Sequence, residues 1–531
     1  MDYQAKRFTH QSHADQTSAS SARHPVVIVG AGPVGLTLAL DLTQRGVHVV
    51  LLDDDDKLSI GSRAICFAKR TLEIWDRLGV GDAMVAKGVS WNVGKVFFRD
   101  APVYSFDLLG EEGHRRPAFI NLQQYYCEGF LADAVAQEPR IELRWQSRVT
   151  EVINGVDGVS VKVETPDGTY ALAADYIVAC DGSRSAVRKM LGLESRGQTF
   201  RDRFLIADVK MTAPFPSERW FWFDPPFHPN QSVLLHRQPD DVWRIDFQLG
   251  WDADPEEEKK PERVRPRVQA LLGPDAEFDF EWISVYTFAC MRMERFRHGR
   301  VLFAGDSAHL VSPFGARGAN SGVQDADNLG WKLALVVAGR APDALLDTYA
   351  SEREYAADEN ILNSTRATDF ITPKSEVSRL FRNAVLELAK DHPFARKLVN
   401  SGRLSVPATL RNSPLNTEDT DEFSGAMVPG APAVDAPLAI EGNTIWFLNA
   451  LAADAFTCVH FTGDDTTVEG TDCRALSVDP AQPVNRILAA RYDAQPGTTY
   501  LFRPDQHVCA RWRKYDADAV AAAIARATCA A

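Results

Sequence analysis

The stretch that decides the fold is VVIVGAGPVGLTLALDLTQRGVHVVLLD, from Val26 to Asp53. It reads as an apolar strand, a glycine turn, a helix and a second strand, the βαβ unit in which a helix joins two parallel strands. Within Gly30-Ala31-Gly32-Pro33-Val34-Gly35, Gly30 permits the tight turn and Gly32 lets the backbone approach a pyrophosphate. Gly35 lets helix and strand pack closely, and Pro33 suits a first helical turn, where no N–H is needed. The helix N-terminus offers free N–H groups and a partial positive charge. Asp53 ends the second strand about 20 residues on, where an acid accepts hydrogen bonds from a ribose. An acid there disfavours a 2′-phosphate, so the unit suits FAD or NAD over NADP. Asp54, Asp55 and Asp56 read as a solvated turn.

Two later passages also run from strand into loop. ADYIVACDGSRSAVRKMLG, beginning at Ala174, ends its strand at Asp181-Gly182, by itself an ordinary turn. GRVLFAGDSAHLVSPFGARGANSGVQDADNLGWKL, Gly299 to Leu333, is an apolar strand that stops at Gly305-Asp306. It then crosses a loop stripped of bulk around Gly315, Gly318 and Gly322. Ser321-Gly322-Val323-Gln324 fits a capping box, which predicts a helix starting near Gly322 with Val323, Ala326, Leu329, Leu333 and Val336 as its buried face. The loop thus combines a hydrogen-bond acceptor with close backbone approach and the N–H groups of a helix start.

At 531 residues the chain is too long for one ordinary core, and two or three domains are expected. Its net charge of −14 argues against nucleic acid or an anionic membrane surface as partner. The eight cysteines are scattered, without C-x-x-C or His/Cys metal spacing, so we expect buried thiols, a reducing cytoplasm and no metal. No apolar stretch approaches the length of about 18 residues that a membrane span needs. Residues 1–24 are polar, lack a hydrophobic h-region, and read as a disordered tail.

Between the βα passages the period changes. SVLLHRQ and VWRIDFQLG alternate like a half-buried antiparallel pair, with Pro239, Asp240 and Asp241 as the turn. Trp243, Ile245, Phe247 and Leu249 share one face, and Arg244, Asp246 and Gln248 the other. After Tyr349 the pattern is helical to about Asn412, and beyond VPGAPAVDAP short strands and an alanine-rich helix form a small α/β domain.

GAGPVG, ACDGSRSAVR and the Gly299–Leu333 stretch, in this order, resemble the class A flavoprotein monooxygenases related to para-hydroxybenzoate hydroxylase. The resemblance runs from about Val26 to Tyr349. It implies bound FAD, with NAD(P)H binding transiently because no second GxGxxG exists. The implied reaction is hydroxylation of a small phenolic or other electron-rich aromatic substrate with O2, through a flavin C4a-hydroperoxide. By family role, Asp306, behind Gly305, holds ribityl or ribose hydroxyls. The backbone of Gly315, Gly318, Ala319 and Asn320 borders the isoalloxazine, and Pro313 lies close to the reactive ring carbon. Arg63 and Gln124 stand where the family has FAD contacts, and Asp181 and Gly182 match its dual motif for FAD and reduced nicotinamide. A surface salt bridge is the other reading of Arg63. Ala316-Arg317 stands where relatives often carry Gly-Gln; Arg317 either assists a substrate anion or is simply exposed.

The implied fold is α/β. A Rossmann-type FAD-binding domain (25–195 and 285–350) carries an inserted antiparallel-sheet substrate domain (196–284), a helical segment (351–412) and a thioredoxin-like C-terminal domain (425–531). The last has no C-x-x-C, so a structural or dimer-contacting role is expected, with a homodimer left open.

His236 and Arg244, on polar hairpin positions, and Tyr286 are candidates for substrate contact. His236 would relay a phenol proton if it faces the cavity, and a solvent-exposed histidine is the alternative. The aromatics of RWFWFDPPFH, from Trp220 to Phe227, are core by default. A flavin-dependent halogenase is one rival, since WFWFDP departs from that family's W-x-W-x-I-P only at Asp224. A flavin dehydrogenase or oxidase and a non-catalytic flavin-binding protein are the others.

Overall fold

The computed structural model describes residues 5–17, 23–213, 215–399, 404–462 and 473–530. The strand Arg23–Val29 lies at the centre of a parallel sheet. Val49–Leu52 and then Ile141–Arg144 flank it on one side, Gly168–Ala179 and then Val301–Phe303 on the other. Val27, Ile28, Leu51, Ile177 and Val178 are fully buried, as the strands of a sheet covered on both faces must be. The chain leaves the central strand to one side and returns on the other, which opens a crevice at the strands' carboxyl ends. The glycine turn, Asp181-Gly182 and Gly305-Asp306 all follow strands at that edge.

A second sheet of seven strands lies beside this domain. Its order is Asp279–Tyr286, Arg203–Lys210, Val242–Leu249, Ser232–Arg237, Arg219–Phe223, Val93–Phe98, Ala101–Asp107. The last two strands come from a part of the chain expected to be wholly FAD-binding. Their alternating burial fits them to extend this sheet, and Val93–Phe98 pairs in parallel with Arg219–Phe223. The hairpin turn is as expected: Asp240 and Asp241 have φ of 64° and 55°, the mirror-image turn that matches strand twist. The hairpin is not half-buried, however. Trp243, Ile245 and Phe247 pack on Val264 and Val268 of the helix Pro261–Leu272, while Arg244 and Gln248 are buried on the side facing the first domain. Trp220 and Trp222 join the outer core, Phe221 and Phe223 the inner one.

Two other expectations need correction. The helix of the third motif spans Gly318–Val337, so Ser321 lies inside it and caps nothing. Its backbone N–H donates to Arg317 O at 2.7 Å, and its hydroxyl accepts from Arg353 and Asn360. Nor are residues 5–17 a free tail. Phe8 stacks on Trp145 at 4.2 Å, its N–H donates to Asp56 O at 2.7 Å, and Asp15 pairs with buried Arg144. One aromatic ring and a few ion pairs anchor a segment whose composition is otherwise polar.

The helices Leu345–Ile371, Glu376–Asp391 and Pro393–Arg396 follow, and from 404 the chain runs irregularly to the strand Pro437–Ile440. The C-terminal sheet is mixed, in the order Arg474–Val478, Thr457–Phe461, Thr499–Phe502, Val508–Trp512, with the first pair parallel and the others antiparallel. Leu501, Trp512 and Val520 share a core with Trp331 and Leu345 of the first domain. Beneath it, Glu352 bonds Lys332 at 2.7 Å and Arg503 at 2.6 Å, all three fully buried.

Candidate active site

The glycine turn has the geometry its spacing implies. Gly30 has φ of 106°, and a Cβ there would lie 2.5 Å from Cys180 O; one on Gly35 would lie 1.9 Å from Gly30 O. A Cβ on Gly32 would meet nothing within 4 Å, so there is open space at this helix start. Asp53 accepts from Ala31 N at 2.6 Å and Asp55 N at 2.9 Å, while burial pushes its carboxyl up to about 6.

The second motif lies against the first. Asp181 Oδ2 accepts from Val187 N at 3.0 Å, but its Oδ1 is buried with no partner, and Gly182 has φ of 75°. Arg188, not singled out by sequence, joins the second motif to the third. Its guanidinium donates to Ser183 O at 2.8 Å and Ser307 O at 2.6 Å. Asp325 was missed as well. It accepts from Gly305 N at 2.9 Å, His309 Nε2 at 2.7 Å and Arg353 Nε at 2.6 Å. Burial pushes the Asp325 carboxyl up, but His309 and Arg353 outweigh it and hold it below the usual range. The one signal was a pair of acids, Asp325 and Asp327, on a helix otherwise read as apolar. Asp306, supported from behind in this way, opens onto the cleft. Surrounding protein raises its carboxyl, against the pull of His309 and Arg63.

The following loop is held from three directions. Ala316 takes φ of 52° and donates its N–H to Pro313 O at 3.1 Å, with Gly315 at φ of 99°. Arg317 is buried and donates to Phe314 O at 2.8 Å, so it is not the exposed side chain that was one reading of it. Asn320 accepts from Ala68 N and Thr71 Oγ1, both at 2.7 Å, and donates to Cys66 O at 2.9 Å. Its side chain ties the helix start to the strand Cys66–Ala68, and only the backbone of Gly318, Ala319 and Asn320 is left to meet a ligand. Phe314 lies edge-on to Phe204 at 4.9 Å and Phe288 at 5.6 Å, which fastens the loop to the second sheet.

Arg63 is exposed and, among the described residues, its side chain has neither ion pair nor hydrogen bond, which removes the salt-bridge reading. Gln124 accepts from Ala64 N at 3.3 Å and so supports the same loop. The donors of Arg244, expected to meet substrate, go instead to Ser62, to Arg63 O at 3.1 Å and to Asp208 at 3.2 Å. Arg244 therefore positions the Arg63 loop. His236 is buried, not solvent-exposed, with Nδ1 4.0 Å from Cys66 Sγ. Burial, reinforced by Arg219 and Arg244, holds its imidazole neutral. Tyr286 opens onto the cleft, where surrounding protein and the charge of Asp306 push its hydroxyl up to about 12.

Room above Gly32, the unpartnered Asp181 Oδ1 and the unpaired Arg63 all fit FAD. A family model described as "FAD binding domain" matches residues 23–364. The chain belongs to the FAD-dependent aromatic monooxygenases. A relative of this monooxygenase, the 12-dehydrotetracycline 5-monooxygenase/anhydrotetracycline 6-monooxygenase of Streptomyces rimosus, is 31% identical over 514 residues, covering 92% of this chain and 95% of the relative. A 3-(3-hydroxy-phenyl)propionate/3-hydroxycinnamic acid hydroxylase of Mycolicibacterium smegmatis is 31% identical over 382 residues, covering 70% and 66%. The flavin-dependent monooxygenase PieE, solved with FAD and substrate, shares the fold with a TM-score of 0.81 at 21% identity over 96% of this chain and all of its own. OxyS anhydrotetracycline hydroxylase from Streptomyces rimosus superposes with a TM-score of 0.71 at 27% identity, over 95% and 99%. The monooxygenase therefore binds FAD and uses reduced nicotinamide and O2 on an aromatic substrate. Among the described residues no side-chain cluster could hold a metal, and no helix is long and apolar enough to cross a membrane.

Proposed function

We propose that the monooxygenase hydroxylates a phenolic ring held between the inner face of the seven-stranded sheet and the flavin edge. The observation that carries this reading is the Arg244 clamp, which brings the inner sheet face directly against the loop of Arg63. Gly30 to Gly35, Asp53, Arg63, Gln124, Asp181, Asp306 and the 313–320 loop would hold FAD. Reduced FAD, when bound, supplies the oxygen-activating chemistry.

The chain's own residues do the rest. Backbone N–H groups at the start of the helix Gly318–Val337 favour negative charge beside them. Tyr286 stays protonated at neutral pH and offers a hydrogen-bond donor to the cleft. Neutral His236 offers a proton acceptor beside Cys66. Phe204, Phe288 and Phe314 close the apolar side and exclude water.

The test is NADH and NADPH oxidation by the FAD-loaded protein with a panel of phenols that includes 3-(3-hydroxyphenyl)propionate and anhydrotetracycline. Products are identified by mass. One acceptor should stimulate oxidation and gain one oxygen on its ring. Stimulation with no oxygenated product from any acceptor would mean a dehydrogenase or oxidase instead, and a halogenated product in bromide would mean a halogenase.

A further inference from the structure

The inner face of the seven-stranded sheet carries two charged groups that the protein leaves unsatisfied. Arg219 is 7% exposed, yet among the described residues its side chain makes no ion pair and no hydrogen bond. The register puts it opposite Gly94 and next to His236, which faces Arg244, which in turn faces Asp208. Asp246 lies one row along, opposite Leu234 and Ile206, and its Oδ1 is buried with no hydrogen-bond partner. Arg219 and Asp246 feel each other's charge across the sheet face, beside the neutral thiol of Cys66 on the first domain, but they do not pair within 4.0 Å.

The other cations of this face cannot serve a ligand. Arg244 is committed to Ser62, Arg63 and Asp208, and His236 is neutral. A guanidinium with little access to water and no partner is costly, and so is a buried carboxyl oxygen without a donor. Both costs disappear when one ligand supplies an anionic oxygen to the first and a hydrogen-bond donor to the second. Phe221 and Leu234, the next residues along this face, offer an apolar bed for its ring. A chain of net charge −14 does not attract anions in general, so a lone buried cation marks a specific position.

We propose that Arg219 and Asp246 form a two-point polar subsite for the aromatic substrate. Arg219 binds an acidic oxygen, carboxylate or ionised hydroxyl, and Asp246 accepts from a hydroxyl or N–H on the same ligand. The substrate class is then an aromatic acid carrying a nearby donor. This rests on the reading that the inner sheet face is the acceptor site.

The test titrates FAD-loaded protein with 3-hydroxybenzoate, 3-hydroxybenzamide and 3-methoxybenzoate, taking dissociation constants from the perturbed visible spectrum of bound FAD. The wild type should bind the acid about tenfold or more tighter than the amide, the increment of a charge-assisted hydrogen bond. Arg219→Met should abolish that preference and Arg219→Lys should keep part of it. Asp246→Asn should abolish the preference for hydroxy over methoxy. Without ligand, Arg219→Met should retain FAD and melt at the same or a higher temperature, since it removes an unpaired buried charge. A clear fall in melting temperature marks Arg219 as structural and overturns the inference. So do a wild type with no acid preference, an Arg219→Met protein that keeps it, and failure of all three ligands to bind. Failure of the hydroxylase reading looks different: saturable, acid-selective binding with no oxygenated product.

Discussion

Both terminal nitrogens of Arg244, on the seven-stranded sheet, lie 3.1 Å from the carbonyl oxygen of Arg63, on the loop bordering the FAD cleft. The same guanidinium donates to Asp208 of its own sheet at 3.2 Å, so one side chain ties that sheet to the Arg63 loop of the first domain. Gly61 precedes this loop at φ of 79°, its Cα against the Trp282 ring, where a Cβ would come within 2.4 Å. The loop thus has its position set from the sheet side. The Arg63 side chain is left free for the cleft.

Arg244→Met should cost about 3 kcal/mol of stability, the low end for breaking a buried pair, because Gln238 and Ser62 still donate to Asp208. It should also weaken FAD binding, through the displaced Arg63. Thermal unfolding and FAD titration check both. Arg244→Lys should rescue neither fully, since an ammonium lacks the planar fork that spans two acceptors. Unchanged FAD affinity would sink the positioning role.

The three glycines of the first motif should separate under alanine substitution. Gly32→Ala should leave the apo-protein within about 0.5 kcal/mol of wild type and still lose FAD affinity, because its methyl intrudes only on the ligand's space. Gly30→Ala and Gly35→Ala should destabilise the apo-protein itself, each clashing with backbone. Equal unfolding curves for all three apo-proteins would contradict this.

Asp53 should make FAD affinity depend on pH. Its folded-state value of about 6 lies above the ordinary 3.8, so its contribution to apo-protein stability is full below the lower value and lost as pH rises through the higher. Ribose hydroxyls donate to the ionised form, so FAD binding should tighten from about pH 5 to about pH 7. Fluorescence titration of FAD should show this slope in the wild type and a flatter one in Asp53→Asn. Parallel slopes would remove Asp53 from the ribose site.

Asp325→Asn should cost about 3–5 kcal/mol, because it leaves His309 and Arg353 buried without their shared anion. It should also release Gly305 N and so loosen Asp306 and FAD. Calorimetric unfolding combined with FAD content gives the answer. A stable variant with full FAD would show that the hub is dispensable.

Much of the candidate site is legible in the chain because its signals are local. A tight turn, a close backbone approach and an acid at a strand end each need a particular residue at a particular spacing, as Gly30, Gly35 and Asp53 show. The partners of those residues were not legible. Asp325 meets His309 and Arg353 across the fold, and Arg188 reaches Ser307 O more than a hundred positions away. Polar residues on the hairpin were read as facing substrate, yet whether Arg244 binds ligand or backbone depends on which loop packs over it.

By itself, then, the sequence determined the parallel sheet and a phosphate-ready turn suited to FAD or NAD, since strand period, glycine spacing and a terminal acid are properties of neighbouring residues. Only the tertiary structure decided that Val93–Phe98 joins the second sheet, that Phe8 anchors the start of the described chain, and that Arg219, not Arg244, is left unpaired on the inner face of that sheet. Those outcomes turn on which charges find partners when distant segments meet. Burial makes an unmet charge expensive, and no local pattern records where that will happen.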